Sequence, residues 1–219
     1  MIERMTLGGT PYIGIIAYAS DKLTVVRTGL PDSNIEIVGN VMKTDVLPLT
    51  MARTDLVGIF LAGNSNGVVV PYTIEPNEHE ALSSYSEVLV LDTKFTAMGN
   101  LMVANDHGCV IGPELSPFAE ELSSFLGVEV HEGIISGHKN VGSVAKVTNK
   151  GCLVHPETTP DKQEWLSEVL KVPVRISTAN RGVGYLGGCM IANSYGVVVG
   201  DISTGPELGR IDDVFMEGE

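Results

Sequence analysis

The chain has 219 residues, of which 43% are hydrophobic and 19% charged, a composition that is typical of a compact globular protein and disfavours extended disorder. It contains no apolar stretch of the roughly 18 residues that cross a bilayer, and its N-terminus lacks the basic and apolar segments of a secretory signal. Acidic residues outnumber basic residues by 27 to 14, and the net charge of −13 disfavours a broad nucleic-acid-binding surface. Three cysteines without paired spacing favour a reducing compartment, so the sequence predicts a cytoplasmic protein with no membrane partner.

After an N-terminal segment at residues 2–7, one sequence pattern recurs five times along the chain. Each copy starts with a glycine, and the starting glycines are 44, 41, 43 and 45 residues apart. They are Gly14, Gly58, Gly99, Gly142 and Gly187. In four copies a second glycine follows nine residues later, at Gly67, Gly108, Gly151 and Gly196. The first copy has Leu23 in its place. An apolar stretch, a polar turn and a second apolar stretch predict a β-hairpin in each copy.

A helix is predicted after each hairpin. A proline lies 17 to 19 residues after each starting glycine, and it suits the first turn of a helix because its missing N–H costs no hydrogen bond there. These prolines are Pro31, Pro76, Pro117, Pro160 and Pro206. Apolar residues then recur with helical spacing, and Ser116 and Thr159 occupy predicted N-cap positions. Short β-branched runs after the helices, such as VLPL at 46–49 and VLVL at 88–91, predict a further strand.

The repeat therefore predicts an α+β fold made of five units, each with the order strand, strand, helix, strand. The units are expected near residues 8–51, 52–93, 94–135, 136–179 and 180–219. The fifth unit has no room for its last strand, and residues 2–7 are expected to supply it beside the fifth hairpin. This pairing would close the ring and remove an exposed sheet edge, so we expect a single domain over residues 1–219.

Several motifs resemble the translation initiation factor 6 family, the ribosome anti-association factors, over the whole chain. They are AMGN (97–100), NDHG (105–108), TNKGCLVHP (148–156), TANRG (178–182) and TGPEL (204–208). The resemblance implies the pentein fold, a pseudo-fivefold αβ propeller, which agrees with the five units of the repeat. The chain ends at Glu219 without the long tail that eukaryotic members carry, so we expect an archaeal-type member.

The resemblance also implies a function. Members of the family bind the large ribosomal subunit at its intersubunit face, prevent its association with the small subunit, and take part in large-subunit biogenesis. Their release involves a GTPase and an adaptor of the Shwachman–Diamond type. The resemblance implies no catalysis, and we expect a monomer that contacts a ribosomal protein and nearby rRNA.

The alternative interpretation is enzymatic, because pentein rings also resemble guanidine-modifying hydrolases and amidinotransferases that use a nucleophilic cysteine. Cys109, Cys152 and Cys189 all fall where other units have apolar strand residues, and a buried cysteine behaves as a small hydrophobic residue. The histidines show no metal-ligand spacing. We therefore expect no catalytic residue, no cofactor and no metal site.

The candidate binding residues lie in two kinds of segment. Asn100 follows a starting glycine at a position where the other units do not require an amide, and together with Lys94 it matches the stretch that contacts the ribosome in the family. The polar turns gather at one rim, and they contribute Asn64, Asn105 and Asp106, although turn chemistry alone explains Asn there. Asn180 and Arg181 are a further pair of candidates, which could equally brace the loop that holds them.

Overall fold

A computed structural model of the protein describes residues 1–216. Within them the chain forms fifteen β-strands, ten α-helices and one 3₁₀ helix. The strands are β1 (Ile2–Met5), β2 (Ala17–Ala19), β3 (Leu23–Val26), β4 (Asp45–Pro48), β5 (Ala62–Gly63), β6 (Val68–Pro71), β7 (Val88–Leu91), β8 (Met102–Ala104), β9 (Cys109–Ile111), β10 (Val130–Glu132), β11 (Ala145–Val147), β12 (Cys152–Val154), β13 (Val174–Ile176), β14 (Met190–Ala192) and β15 (Val197–Gly200). The helices are α1 (Ile13–Ile16), α2 (Asp32–Met42), α3 (Val57–Phe60), α4 (Pro76–Ser83), α5 (Met98–Leu101), α6 (Ala119–Leu126), α7 (Val141–Val144), α8 (Pro160–Leu170), α9 (Leu186–Cys189) and α10 (Gly205–Phe215), with the 3₁₀ helix at Pro113–Phe118.

The strands form five small three-stranded sheets, which we number 1 to 5 in the order of their hairpins. Sheet 1 is β2-β3-β4, sheet 2 is β5-β6-β7, sheet 3 is β8-β9-β10, sheet 4 is β11-β12-β13, and sheet 5 is β14-β15-β1. In each sheet the first two strands form the antiparallel hairpin, and the third lies parallel to the middle strand. The fold is α+β, as the repeat predicts.

The N-terminal segment completes the fifth sheet. Strand β1 runs parallel to β15, with Ile2 opposite Val197 and Met5 opposite Gly200. This pairing confirms the predicted partner of the N-terminus, although the strand ends at Met5 rather than at residue 7. A parallel third strand normally follows a crossover helix, and here it comes from the other end of the chain.

The five starting glycines meet at the centre of the fold. A Cβ atom on Gly14 would lie 1.9 Å from the carbonyl oxygen of Gly187, and one on Gly58 would lie 1.9 Å from that of Gly14. A Cβ atom on Gly99, Gly142 or Gly187 would likewise lie 1.9, 2.2 or 1.9 Å from the carbonyl oxygen of the preceding starting glycine. The contact therefore runs through all five repeats. Because no side chain fits at these distances, glycine is required by close backbone approach.

These glycines lie on one-turn helices that the sequence did not predict. Helices α1, α3, α5, α7 and α9 each contain one starting glycine and lead directly into the first strand of a hairpin. The expectation that all three cysteines occupy strands is therefore wrong for Cys189, which ends α9, whereas Cys109 and Cys152 begin strands. The physical reason is that a single helical turn has too few residues to show a helical period.

The longer helices pack against the sheets and close the core. Helix α10 buries Ile211, Val214 and Phe215 in one cluster with residues of sheets 4 and 5, including Leu153 and Val199. The helix after the third hairpin begins differently from the prediction: Ser116 and Pro117 lie inside the 3₁₀ helix, and Ser116 is not an N-cap. A second proline, at residue 113, starts the helical segment earlier. Thr159 does precede α8, but its side chain makes no capping hydrogen bond.

Candidate functional site

Three asparagines at the hairpin turns are buried and bonded to the neighbouring repeat: Asn64, Asn105 and Asn193. The Nδ2 atom of Asn64 donates to the carbonyl oxygens of Asn105 and Leu126, at 3.2 and 3.0 Å. Asn105 makes the equivalent bonds to Thr148 and Leu170, at 3.1 and 2.9 Å. Their amides therefore hold neighbouring repeats together, and neither Asn64 nor Asn105 is available to an external partner without losing these bonds.

The next residue of each turn contributes to a polar cluster at the same end of the hairpins, which we call the hairpin-tip cluster. Its members are Asp21, Ser65, Asp106 and Asn149, with Ser194 bonded to Asp21. Asp106 accepts hydrogen bonds from the hydroxyl of Ser65 and from the Nδ2 of Asn149, both at 2.7 Å. Asn149 also donates to Asp21 at 2.9 Å. The carboxylate of Asp106 is thus engaged inside the protein, although the residue is half-buried.

Asn180 and Arg181 lie in a strained loop with φ angles of +51° and +64°. Asn180 is buried, its Nδ2 donates to the carbonyl of Pro11 at 2.8 Å, and its backbone N–H donates to the Ser203 hydroxyl at 2.9 Å. These bonds support the bracing interpretation of Asn180. Arg181 differs, because its side chain is exposed while its backbone N–H donates to Glu207 at 3.2 Å.

Glu207 is the buried acid that holds this loop. Burial by itself would raise the pKa of its carboxyl, but hydrogen bonds from Thr204, Gly182 and Thr178 outweigh that cost and hold the pKa at about 2. Glu78 has the same position in the second repeat. It accepts the backbone N–H groups of Ala52 and Arg53, and the hydrogen bonds lower its pKa despite burial.

Lys94 and Asn100 are the sequence-predicted candidates that the fold brings together at an open surface. They line one cavity of about 340 Å³ with Phe95, Glu114 and Asn140, among others. Asn100 is half-buried on α5, and within residues 1–216 its side-chain amide makes no hydrogen bond. Lys94 is exposed and its ammonium lies 5.2 Å from the centroid of the Phe95 ring. We call this surface the Asn100 cavity.

Two residues of the Asn100 cavity were missed by the sequence analysis. Within residues 1–216, the buried Oε2 atom of Glu114 has no hydrogen-bond partner, and the Oε1 atom lies 3.9 Å from the ammonium of Lys139. Asn140 is exposed and comes from the loop before α7. Both are polar residues that could have been noticed in the sequence, but only the shared cavity shows that they adjoin Asn100.

The cysteines lack the environment of a nucleophile. All three are buried, and burial raises the pKa of each thiol to about 12. In the described part of the chain, no group of three or more His, Cys, Asp or Glu side chains is placed to hold a metal ion. No helix among residues 1–216 combines the length and apolarity needed to cross a membrane.

Comparison with known proteins identifies the family. The model of the eIF-6 family matches residues 2–214. The chain is 41% identical over 220 residues to translation initiation factor 6 of Pyrococcus abyssi and to that of Pyrococcus horikoshii, with 97% of each chain covered. It is 37% identical over 221 residues to translation initiation factor 6 of Methanocaldococcus jannaschii, again with 97% of both chains covered. The chain belongs to the eIF-6 family, and these relatives are archaeal.

Proposed function

We propose that this protein binds the large ribosomal subunit at its intersubunit face and prevents association with the small subunit, as a non-catalytic translation factor. The observation that carries the proposal is the match of the whole chain to translation initiation factors, over residues 2–214. We further propose that the chain is one pentein domain, a closed propeller of the five predicted units. The central glycine contacts support this arrangement, since they run through all five repeats.

The proposed contact centres on the Asn100 cavity. The Oε2 atom of Glu114 is buried and unpaired within residues 1–216, and such a group costs about 1–3 kcal/mol until it finds a partner. The Asn100 amide beside it is open to solvent and can donate to the same partner. A carboxylate beside the amide favours a basic partner over RNA phosphate, and so does the net charge of −13. We therefore propose a basic ribosomal protein as the main contact, with Lys94 facing nearby rRNA. The protein acts in the cytoplasm as a monomer.

The test is co-sedimentation with purified large and small subunits from the same organism. We expect the protein to pellet with large subunits alone, and to lower the light scattering that reports subunit association when both subunits are mixed. Binding should depend only modestly on salt, because few phosphates are neutralised. A protein that stays in the supernatant with large subunits would contradict the proposal.

The enzymatic alternative makes a different prediction. A guanidine-modifying hydrolase would need a cysteine thiolate, and burial disfavours the thiolate at all three cysteines. We expect Cys109→Ala, Cys152→Ala and Cys189→Ala each to leave ribosome binding intact, with about 1 kcal/mol lost from the free energy of unfolding. Measurable hydrolysis of arginine by the wild type, abolished by one of these changes, would instead establish the enzyme.

The family also suggests how the factor would leave the subunit. We propose release by a GTPase together with an adaptor of the Shwachman–Diamond type, during large-subunit biogenesis. The proposal rests on the family alone. Release from isolated large subunits should require both proteins and GTP, and release by either protein without GTP would contradict it.

A further inference from the structure

The outer edge of sheet 4 is open and lies in a groove between two helices. Strand β13 is the outermost strand of the sheet, and among residues 1–216 it pairs with β12 alone. A cavity of about 490 Å³ wraps this edge, with walls from α8 on one side and α10 on the other. Its lining residues are Gln163, Pro173, Arg175, Ile176, Arg210, Asp213 and Val214. We call it the β13 groove.

The backbone of β13 has pairing groups that face the groove. The carbonyl of Pro173 accepts from Cys152, and the N–H of Ser177 donates to Val154, so these residues face β12. Because pairing alternates along a strand, the N–H and C=O groups of Val174 and Ile176 face the open side. The guanidinium of Arg175 covers the carbonyl of Val174 at 3.1 Å. An incoming strand could displace it and leave the cation free for a carboxylate.

The groove is positively charged in an otherwise acidic protein. Arg175 and Arg210 are exposed, and neither has a carboxylate within 4.0 Å among residues 1–216. Asp213 is the acidic side chain that lines the same cavity. Arg210 also borders an adjacent cavity that contains Arg181, so the cationic surface continues beyond the strand. The outer strands β4 and β10, in contrast, carry Asp45 and Glu132.

We propose that the β13 groove binds an extended acidic peptide segment of a partner protein, which adds a fourth strand to sheet 4. Strand addition supplies main-chain hydrogen bonds, and alternate side chains give specificity. A residue opposite Arg175 would be acidic, and residues opposite Val174 and Ile176 would be apolar, because Ile176 is 38% exposed and lines the same cavity as Val214. The free strand edge favours a peptide over RNA, which has no amide groups to continue a sheet.

A single charged residue on an edge strand has a simpler role, which is to prevent sheets of two molecules from pairing. That role explains Arg175 by itself. It does not explain Arg210, which lies on the facing helix, or the cavity between that helix and the strand. The groove belongs to sheet 4 and α10, whereas the Asn100 cavity belongs to α5, so the two sites are separate in the fold.

The probe is a fluorescein-labelled nine-residue peptide of alternating Glu and Val, and the readout is fluorescence polarisation with the full chain. We expect saturable binding that weakens at least tenfold with Arg210→Glu and with Arg175→Glu. Lys22→Glu is the matched control, because Lys22 is an exposed cation at the first hairpin turn that does not line the groove, and it should bind as wild type does. Replacing the central Val of the peptide with Pro removes an N–H and should abolish binding without altering charge.

The outcomes separate this proposal from the ribosomal one. Absence of peptide binding by the wild type would overturn it, and so would equal binding of the Pro-containing peptide, since charge alone would then suffice. Full competition by a single-stranded RNA of equal charge would show a phosphate site instead of strand addition. Arg210→Glu should still pellet with large subunits as wild type does, and loss of that binding would contradict a site separate from the Asn100 cavity.

Discussion

Asn100 and Asn105 lie five residues apart and flank strand β8, yet their side chains differ in burial and in hydrogen bonding. The amide of Asn105 is buried and donates to two carbonyl groups of the next repeat. The amide of Asn100 has no partner within residues 1–216 and lines an open cavity. One end of the hairpins uses its polar groups to hold the repeats together, and the other end leaves some of them free.

This difference shows that a polar residue in a repeat indicates function only when its hydrogen-bonding groups are not already paired inside the protein. The hairpin-tip cluster is rich in Asp, Asn and Ser. Its two carboxylates accept hydrogen bonds of 2.6 to 2.9 Å from the Ser and Asn residues of the same cluster. The Asn100 cavity has fewer polar groups, but Glu114 retains an unpaired buried oxygen. Unsatisfied groups need a partner, and satisfied groups do not.

Both ends of the hairpins depend on the glycine contacts at the centre, and breaking one should have the largest effect. We expect Gly187→Ala to lower the free energy of unfolding by more than about 4 kcal/mol or to prevent folding, because its Cβ would lie 1.9 Å from the Gly142 carbonyl oxygen. Gly188→Ala is the matched control, since its nearest neighbour is an Ile15 side-chain carbon at 3.6 Å. Urea unfolding should show the control within about 1 kcal/mol of wild type. Equal losses in both variants would contradict the central packing.

A second experiment removes the hydrogen bonds that Asn105 makes to the neighbouring repeat. Asn105→Ala should cost about 3 kcal/mol, because two buried carbonyls lose their donor and the turn loses the acceptor of the His107 and Gly108 N–H groups. Within residues 1–216, Thr148→Ala removes only the turn hydrogen bonds that the Thr148 hydroxyl accepts from the Lys150 and Gly151 N–H groups, and it should cost about 1 kcal/mol. Thermal unfolding distinguishes the two. The folded Asn105→Ala protein should still pellet with large subunits. If this variant folds but no longer binds them, Asn105 contacts the ribosome after all.

A third experiment uses pH to examine the loop that holds Arg181. The pKa of Glu207 is about 2 in the folded protein and near 4.5 when unfolded, so its stabilisation is present above pH 4.5 and is lost as the pH falls through about 2. Glu207→Gln should therefore cost roughly 2–3 kcal/mol at pH 7 and almost nothing near pH 2. Urea unfolding across this range measures the difference, with exposed Glu36→Gln as the control. A pH-independent loss would show that charge is not the cause.

Much of the fold could be predicted from the sequence, because its strongest signals are periodic. The steps between starting glycines predict five repeats, and the missing last strand predicts the pairing of residues 2–7 with the fifth hairpin, which β1 and β15 confirm. The close approach of Gly187 to Gly142 explains why the starting residue of each repeat is glycine. The one-turn helices could not be predicted, since four residues show no period. A 3₁₀ segment also displaced the start of the helix after the third hairpin.

The candidate site was less predictable, because burial of a polar turn depends on its neighbours in space. Asn64 and Asn105 have the composition of exposed turns, and only the adjacent repeat supplies the carbonyls that bury them. Glu114 and Asn140 reach the Asn100 cavity from segments 14 and 40 residues further along the chain. No local pattern connects such residues, so the sequence indicated Lys94 and Asn100 without the groups around them.

The smallest expected effect concerns Asn100, whose amide lines the open Asn100 cavity. Asn100→Ala should weaken large-subunit binding about tenfold, close to 1.4 kcal/mol, because a partner group loses its hydrogen bond to the amide. Its unfolding should match wild type, since within residues 1–216 the side chain makes no hydrogen bond that folding depends on. Asn100→Asp adds a charge at the same site: binding should fall further if phosphate is adjacent and less if a basic protein is, as we propose. Co-sedimentation titrations measure both variants, with Asn105→Ala as the reference that loses stability instead of affinity. Wild-type binding by Asn100→Ala would remove this cavity from the proposed interface.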